Sequence, residues 1–434
     1  MIKQIVQHSA QLVEFIVLLQ LNLAKPQYRH VLNIADTVIV CEAPHKTLTT
    51  LYDLLVDAPD ASNAADCLRI SPWKAVDLRE PLRDFTIGDL MQAASLLEEE
   101  VLWVSIDDSL TAKDKGTTCL QAVDWHHDHT KSVGKKQAYT NGTQHVEVRI
   151  QLGNQAYVYD WGLYLREKTV RRLNRQRKKG QRLSFCSKYR IVRAILADLK
   201  QRLPARFPVY VLFDSWYASN KLLKFCRRQG WHVICAIKSN RTLDGVKLSE
   251  WNQRLKHQPY TRVNPAATDQ RKRPYLVRAR RGKLKNVPFE VCVLISKRHR
   301  GDKRPKYFLC TDLSLSPQQI LTFYQKRWPI EVDNYYVKQL LGLGDFRVQS
   351  YEAIEKWFAI IFLAYTFLQW RLNHAQPDER FKVVADVIRA HRQQHARLVL
   401  EAACQIAVAC QDVTQVLHRF VSQNPHSAPQ ESTK

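Results

Sequence analysis

The segment Pro208-Val-Tyr-Val-Leu-Phe-Asp214 constrains this chain more than any other. An uncharged run rich in β-branched and aromatic residues reads as a strand buried on both faces. It ends in an acid. A helix is expected immediately after it, over Ala218–Gly230, and a second apolar strand over Trp231–Ile237. Strand, helix and strand at this spacing form a parallel unit, which requires a sheet with helices on its faces. Sites in such sheets lie at the carboxyl ends of the strands, so Asp214 is a candidate functional acid.

Val101–Asp108 is a second strand of this kind. Leu102, Val104 and Ile106 form one face, which Asp108 closes; Val101, Trp103, Ser105 and Asp107 form the other. Asp108 or its neighbour Asp107 is therefore a second candidate acid, and the apolar alternation favours Asp108. Thr118–Trp125, His145–Gly153 and Gln155–Leu165 read as further strands of an antiparallel meander, joined by polar turns such as Asn141-Gly142. Ile191–Leu203 reads as a helix that stops at Pro204. The first hundred residues read as helices over Val6–Leu23, which ends before Pro26, and over Thr47–Val56, Ala61–Leu68 and Ser71–Leu82.

From Asn240 to Leu313 the chain becomes β-prone and basic, with strands expected over Tyr275–Ala279, Val287–Ile295 and Lys306–Cys310. A helical stretch, Leu315–Gly344, follows. Ser316 is placed to cap it, Pro317 suits the first helical position, and Gln319 closes a capping box. Tyr324, Arg327, Glu331 and Lys338 fall within roughly a 60° arc of one face at about 100° per residue. Pro329 is expected to kink or restart the helix. A phenol, two cations and a carboxylate on one face suit a metal ion and the phosphates around it; the plainer alternative is a solvated charged face. Glu352–His374 is a long apolar helix. Phe381–Arg392 and Leu398–Ser422 read as further helices, and Asn424–Lys434 as a polar tail.

Charge narrows the partner. The chain carries 66 Lys and Arg against 41 Asp and Glu, a formal net of +25. A surplus of that size points to a polyanion. It is unevenly spread. Residues 1–100 hold 8 basic and 14 acidic side chains, so the excess lies entirely in the rest of the chain. Arg166–Arg182 holds nine Lys and Arg against Glu167 alone, a pattern common in nucleic-acid-binding segments. Within it Arg171, Arg172, Arg175, Lys178 and Lys179 are the candidate DNA contacts. The ten cysteines include no Cys-x2-Cys pair, which argues against a disulfide framework or a cysteine zinc site and for a reducing, cytoplasmic setting. No signal-peptide pattern is seen, and the longest strongly apolar run, Trp357–Leu368, is shorter than the roughly 20 residues that cross a bilayer.

Tyr324-x2-Arg327-x3-Glu331-x6-Lys338 resembles the Y-R-E-K signature of prokaryotic insertion-sequence transposases, the IS-four-like group of the DDE superfamily. Asp107-Asp108-Ser109 resembles the superfamily's acid-Asp-Thr motif, with Ser for Thr, and Phe213-Asp214-Ser215 its strand-end acid. The resemblance runs from Val101 to about Ser350. It implies an RNase H-like α/β core with an inserted β-rich module, flanked by helical regions. The units expected are 1–97, a helical region for DNA-end recognition or dimerisation; 98–238, the first part of the core; 239–314, the basic β module; 315–350, the helix with the third acid; and 351–434, a C-terminal helical region. It also implies Asp108, Asp214 and Glu331 as catalytic acids holding two Mg²⁺ ions, with Mn²⁺ able to substitute. Grouped carboxylates suit such hard cations. Tyr324, Arg327 and Lys338 would bind DNA phosphates, and Trp251 would stack on a base. The partner is double-stranded DNA, both transposon ends and target, bound by a homodimer in a prokaryotic cytoplasm; a hairpin intermediate is implied as well.

Two other classes compete. His126-His127-Asp128-His129 with Tyr335-Tyr336 invites comparison with HUH nucleases, but the residue between the last two histidines is charged rather than apolar. An RNase H-like nuclease, or a regulator derived from a transposase, would share the acids or the charge without strand transfer.

Overall fold

A computed structural model describes residues 2–94, 101–128, 130–132, 136–204, 207–264, 274–411 and 413–421. The expected boundary at 97/98, His129 and the tail from Asn424 lie outside the described residues.

Five helices come first: α1 (Ala10–Leu18), α2 (Lys25–Val40), α3 (Leu48–Tyr52), α4 (Ala61–Arg69) and α5 (Val76–Ala94). Next come β1 (Leu102–Ala112), β2 (Asp124–His127), β3 (Tyr139–Leu152), β4 (Gln155–Tyr164), α6 (Glu167–Asn174) and α7 (Lys188–Arg202). β5 (Val209–Phe213), α8 (Asn220–Arg228) and β6 (His232–Ile237) are the expected strand–helix–strand unit. A small hairpin, β7 (Thr242–Leu243) and β8 (Val246–Lys247), precedes α9 (Leu248–Arg254), β9 (Thr261–Val263), β10 (Tyr275–Lys283), β11 (Glu290–Lys297) and β12 (Lys306–Cys310). The chain continues through α10 (Pro317–Gln325), α11 (Pro329–Tyr335), α12 (Tyr351–Asn373), α13 (Val384–Cys410) and α14 (Val413–Phe420).

The main sheet has the order β2-β3-β1-β5-β6-β12-β11-β10-β9, with β4 also paired to β3. β1, β5 and β6 are parallel; the flanking strands are antiparallel. The basic β segment is continuous with this sheet, because β12 hydrogen-bonds directly to β6. Apolar clusters cover both faces. One joins β1, β3, β5 and β6 to α7 and α8; the other joins Trp103, Tyr210 and Leu212 to α10 through Ile320 and Leu321. The N- and C-terminal helices share a third core: Phe15, Val38 and Leu51 lie in the same cluster as Trp357, Phe362 and Val387. α12 runs through it with most of its side chains buried. Among the described residues, no helix is long and apolar enough to cross a membrane.

Several local expectations change. Pro26 opens α2 instead of ending the helix before it, since a first-turn proline forfeits no helical hydrogen bond. Asn141-Gly142 is not a turn but part of β3, paired with β1 and β2. Gly142 is needed there because a Cβ would lie 2.2 Å from the Thr111 carbonyl oxygen. The Arg166–Arg182 run, to which the sequence assigned no element, holds α6: Val170 and Leu173 anchor the helix while its cations face solvent. The strand expected over Thr118–Trp125 is confined to Asp124–His127, and the two helices expected after Phe381 are largely one, α13.

Candidate active site

The register of β1 on β5 positions the acids. Trp103 pairs with Tyr210, Ser105 with Leu212 and Ile106 with Phe213. Side chains alternate along a strand, so Trp103, Ser105 and Asp107 share a face. The Trp103 and Tyr210 rings stack there at 5.3 Å, and the Ser105 hydroxyl donates to the Lys326 carbonyl at 3.4 Å. Asp107 and Asp214 each follow the last pair, Ile106 with Phe213, and β5 ends there. Asp214 is held by the loop it starts: its Oδ1 accepts from the backbone N–H groups of Trp216 (2.9 Å) and Tyr217 (3.3 Å).

α10 and α11 cover this face. Ser316 caps α10 and forms a capping box with Gln319. Pro329 restarts the helix, and α11 then gives way to a π-helical turn, Tyr336–Leu340, that carries Lys338. π-helical turns are often found at functional sites. Arg327, at the restart, donates from Nη1 to Asp107 Oδ2 at 3.1 Å and from Nη2 to Glu331 Oε1 at 3.0 Å. Burial, then the charge of Glu331, raises the Asp107 carboxyl to about 8, against the opposing pull of Arg327. Tyr324 lies against Phe308, its hydroxyl pushed up to about 12 by burial and its surroundings including the Asp214 charge. Lys338 is half-buried, with its Nζ 3.4 Å from the Leu110 carbonyl; burial lowers its pKa, opposed by Glu331, Glu147 and Asp107.

Asp108 departs from the expected arrangement. It leaves β1 on the opposite face, where Gln144 Nε2 and Lys188 Nζ each donate to its Oδ2 at 2.7 Å and Tyr217 Oη donates to its Oδ1 at 3.0 Å. The structure thus brings Asp107, not Asp108, together with Glu331. The apolar alternation was sound, but the helix bearing Glu331 packs on the Trp103 face. Lys188, which has no motif around it, was not singled out by the sequence; it also lies over the rings of Trp216 (4.9 Å) and Tyr164 (5.4 Å).

Behind the acids lies a buried polar layer that the strand pattern of β3 did not signal. Glu147 pairs with Asp107 across the β1–β3 ladder, and Arg149 Nε lies 2.8 Å from Asp333 Oδ2. Tyr365 Oη donates to Asp333 Oδ1 at 2.6 Å. Glu147 and His145 are fully buried, 3.8 Å apart. Burial raises the Glu147 carboxyl and lowers His145 to about 3.

The remaining candidates are dispersed. Arg171, Arg172, Arg175, Lys178 and Lys179 are exposed, whereas Arg177 is engaged with Glu352 and Gln121. Trp251 is half-buried: its indole N–H donates to the Leu243 carbonyl at 3.1 Å, and Arg280 and Arg254 lie over the ring. The exposed indole near the acids is Trp328, between Arg327 and Pro329, at 65% exposure. His126 is buried beside Tyr164, and Tyr336 stacks on Tyr365 in the core.

Residues 187–367 match the transposase DDE domain family. The match supports a DDE-type transposase, with an RNase H-like fold and DNA as substrate. Its span includes Asp214 and Glu331 and begins after β1. Transposases of this kind typically use a divalent metal. No curated protein matches the chain.

Proposed function

We propose that the protein is a cut-and-paste transposase of the Y-R-E-K group that binds the ends of an insertion sequence as a homodimer and catalyses metal-dependent cleavage and strand transfer. The observation that carries this reading is the linking of Asp107 to Glu331 through Arg327, with Asp214 at the end of the parallel strand next to β1. Asp107, Asp214 and Glu331 are the proposed catalytic acids, with Asp107 replacing Asp108 as the first.

The donor set suits a hard dication. Asp107 is largely buried beside the charge of the more exposed Glu331, and one guanidinium leaves its carboxyl raised. A site short of positive charge and built from carboxylate oxygens fits Mg²⁺, or Mn²⁺ in its place. When bound, a pair of such ions supplies Lewis acidity at the phosphodiester and activates the attacking oxygen. The chain's own groups position the reactants. Arg327 orients Asp107 and Glu331, while Lys338 and the exposed cations of α6 neutralise backbone phosphates. Trp328 offers an exposed ring for a base at the cleaved end. In the first reaction water attacks the end phosphorus and the 3′-oxygen leaves. The freed 3′-hydroxyl then attacks a target phosphodiester and displaces its 3′-oxygen. The β9–β12 strands are the inserted module in this reading, supplying a basic wall beside β6.

The test is incubation of the purified protein with labelled DNA from either side of its own coding region, with and without Mg²⁺. Cleavage at a defined end and joining to a target plasmid are expected only with the metal. Random nicking without joining would exclude strand transfer.

A further inference from the structure

A second cluster of ligand-type side chains lies among the helices, apart from the carboxylates of the sheet. Asp36, in α2, is fully buried in the core shared by the N- and C-terminal helices. Its Oδ1 meets Nε2 of His391 at 2.7 Å and Nε2 of His395 at 3.0 Å. Its Oδ2 meets Nδ1 of His8 at 2.8 Å and the backbone N–H of Ser9 at 3.4 Å. His391 and His395 are one turn apart on α13, so both rings leave the same face. Asn33 Oδ1 lies 2.9 Å from His8 Nε2 and fixes that ring from behind.

Three imidazoles around one buried carboxylate are costly to keep in an apolar core, where leucines would pack at no such cost. Asp36, His391 and His395 offer ligand atoms within 4.8 Å of one another, and His8 Nδ1 touches the same carboxylate. A cavity of about 220 Å³, lined in part by Gln11, Phe381 and Gln394, reaches His391 and provides an entry path.

We propose that Asp36, His391 and His395 bind one Zn²⁺ ion that ties α2 to α13. Two nitrogens and one carboxylate oxygen supply three of the four positions of a tetrahedral zinc site, and water completes it. The same set is too nitrogen-rich for Mg²⁺, so the two metal sites differ in kind. His8, held by Asn33, acts as the outer partner that orients the ligating Asp36 carboxylate. Donors bound to zinc at about 2.0–2.1 Å stand roughly 3.3 Å apart, so the side chains part by about half an ångström to admit it. The ion joins the segment preceding the sheet to the segment following it, at a distance from the carboxylate site.

The experiment is elemental analysis of the full-length protein purified without chelator. On the order of one zinc per chain is expected, surviving gel filtration. Stripping with a strong chelator should lower the melting midpoint by several degrees, and added Zn²⁺, but not Mg²⁺, should restore it. A His391→Gln/His395→Gln protein should lose the zinc and the response. Co²⁺ added to the stripped wild type should give the visible bands of a tetrahedral nitrogen–oxygen site without a thiolate charge-transfer band. Wild type that neither carries zinc nor gains stability from it would overturn the proposal and leave a purely hydrogen-bonded cluster. Full zinc retention by the double variant, or a thiolate band, would overturn it equally, and the cobalt spectrum needs no variant to fold.

Discussion

Asp107 and Glu331 share one guanidinium: Arg327 reaches the first at 3.1 Å and the second at 3.0 Å, linking the middle of β1 to the start of α11. The neighbouring Asp108 is bound on the opposite side of the sheet by Lys188. Two adjacent acids thus have separable roles, which substitution can distinguish.

Asp107→Asn is expected to lower DNA cleavage by at least about a thousandfold, as Asp214→Asn and Glu331→Gln should, because groups acting as one unit lose most of their effect singly. DNA binding should survive. Asp108→Ala should instead lower stability, by about 1–3 kcal/mol, because it strips Lys188 and Tyr217 of a shared partner in a poorly solvated space. Paired cleavage assays and denaturant melts on each variant check this. Normal cleavage by Asp107→Asn, with loss in a well-folded Asp108→Asn, would reverse the assignment.

Much of this arrangement was legible in the chain. The apolar run before Asp214 defined the parallel unit, and the Ser316–Gln319 box with Pro329 marked both the helix start and its restart. What was not legible was which face of β1 the late helix covers. Both faces of that strand are buried, so its residue pattern does not say on which side Glu331 will arrive. β3 hid its polar layer for the same reason. His145, Glu147 and Arg149 alternate with valines and read as the wet side of a strand, yet α11 and α12 bury them. Pro26 and Asn141-Gly142 misled because each has a second use, in a helix's first turn and at a close strand approach.

The cations of α6 and the loop after it should act on binding alone. Replacing Arg171, Arg172, Arg175, Lys178 and Lys179 together with Gln should weaken duplex affinity. The slope of log affinity against log salt should fall by up to about 4.5, at roughly 0.9 for each phosphate no longer neutralised. Arg177 is left in place because it is bonded to Glu352. Fluorescence anisotropy across a salt series measures the slope, and a thermal melt checks the fold. An unchanged slope would remove this segment from the DNA interface.

Gly142→Ala tests the close approach of β3 to β1. The added methyl meets the Thr111 carbonyl carbon and oxygen, which are backbone and cannot rotate aside. The strands must part at the end nearest Lys113 and Asn141, at a cost of about 1–3 kcal/mol typical of overpacking. A stability loss with weakened amide protection over 109–113 and 141–145 is expected. A melt like that of the parent would mean that the strands separate there at little cost.

His145 should give the protein an acid limit of its own. Its ring is fully buried, beside Glu147 and within reach of the Lys338 charge, and burial lowers it to about 3. An unfolded histidine titrates near 6.5. Between these values the unfolded chain takes up a proton that the folded chain refuses. Stability is therefore complete above about pH 6.5 and declines as pH falls, by up to about 1.4 kcal/mol per unit until the folded pKa is reached. His126, lowered to about 4 by burial, adds a similar decline over a narrower window. Replacing His145 with Gln removes one titrating group and leaves the other. The slope of unfolding free energy against pH between 6 and 4 should fall in the variant, whatever the change in stability at neutral pH. Urea melts at half-unit intervals measure both slopes. Parallel curves for the two proteins would mean that His145 accepts its proton in the folded state, with Glu147 as its ionised partner.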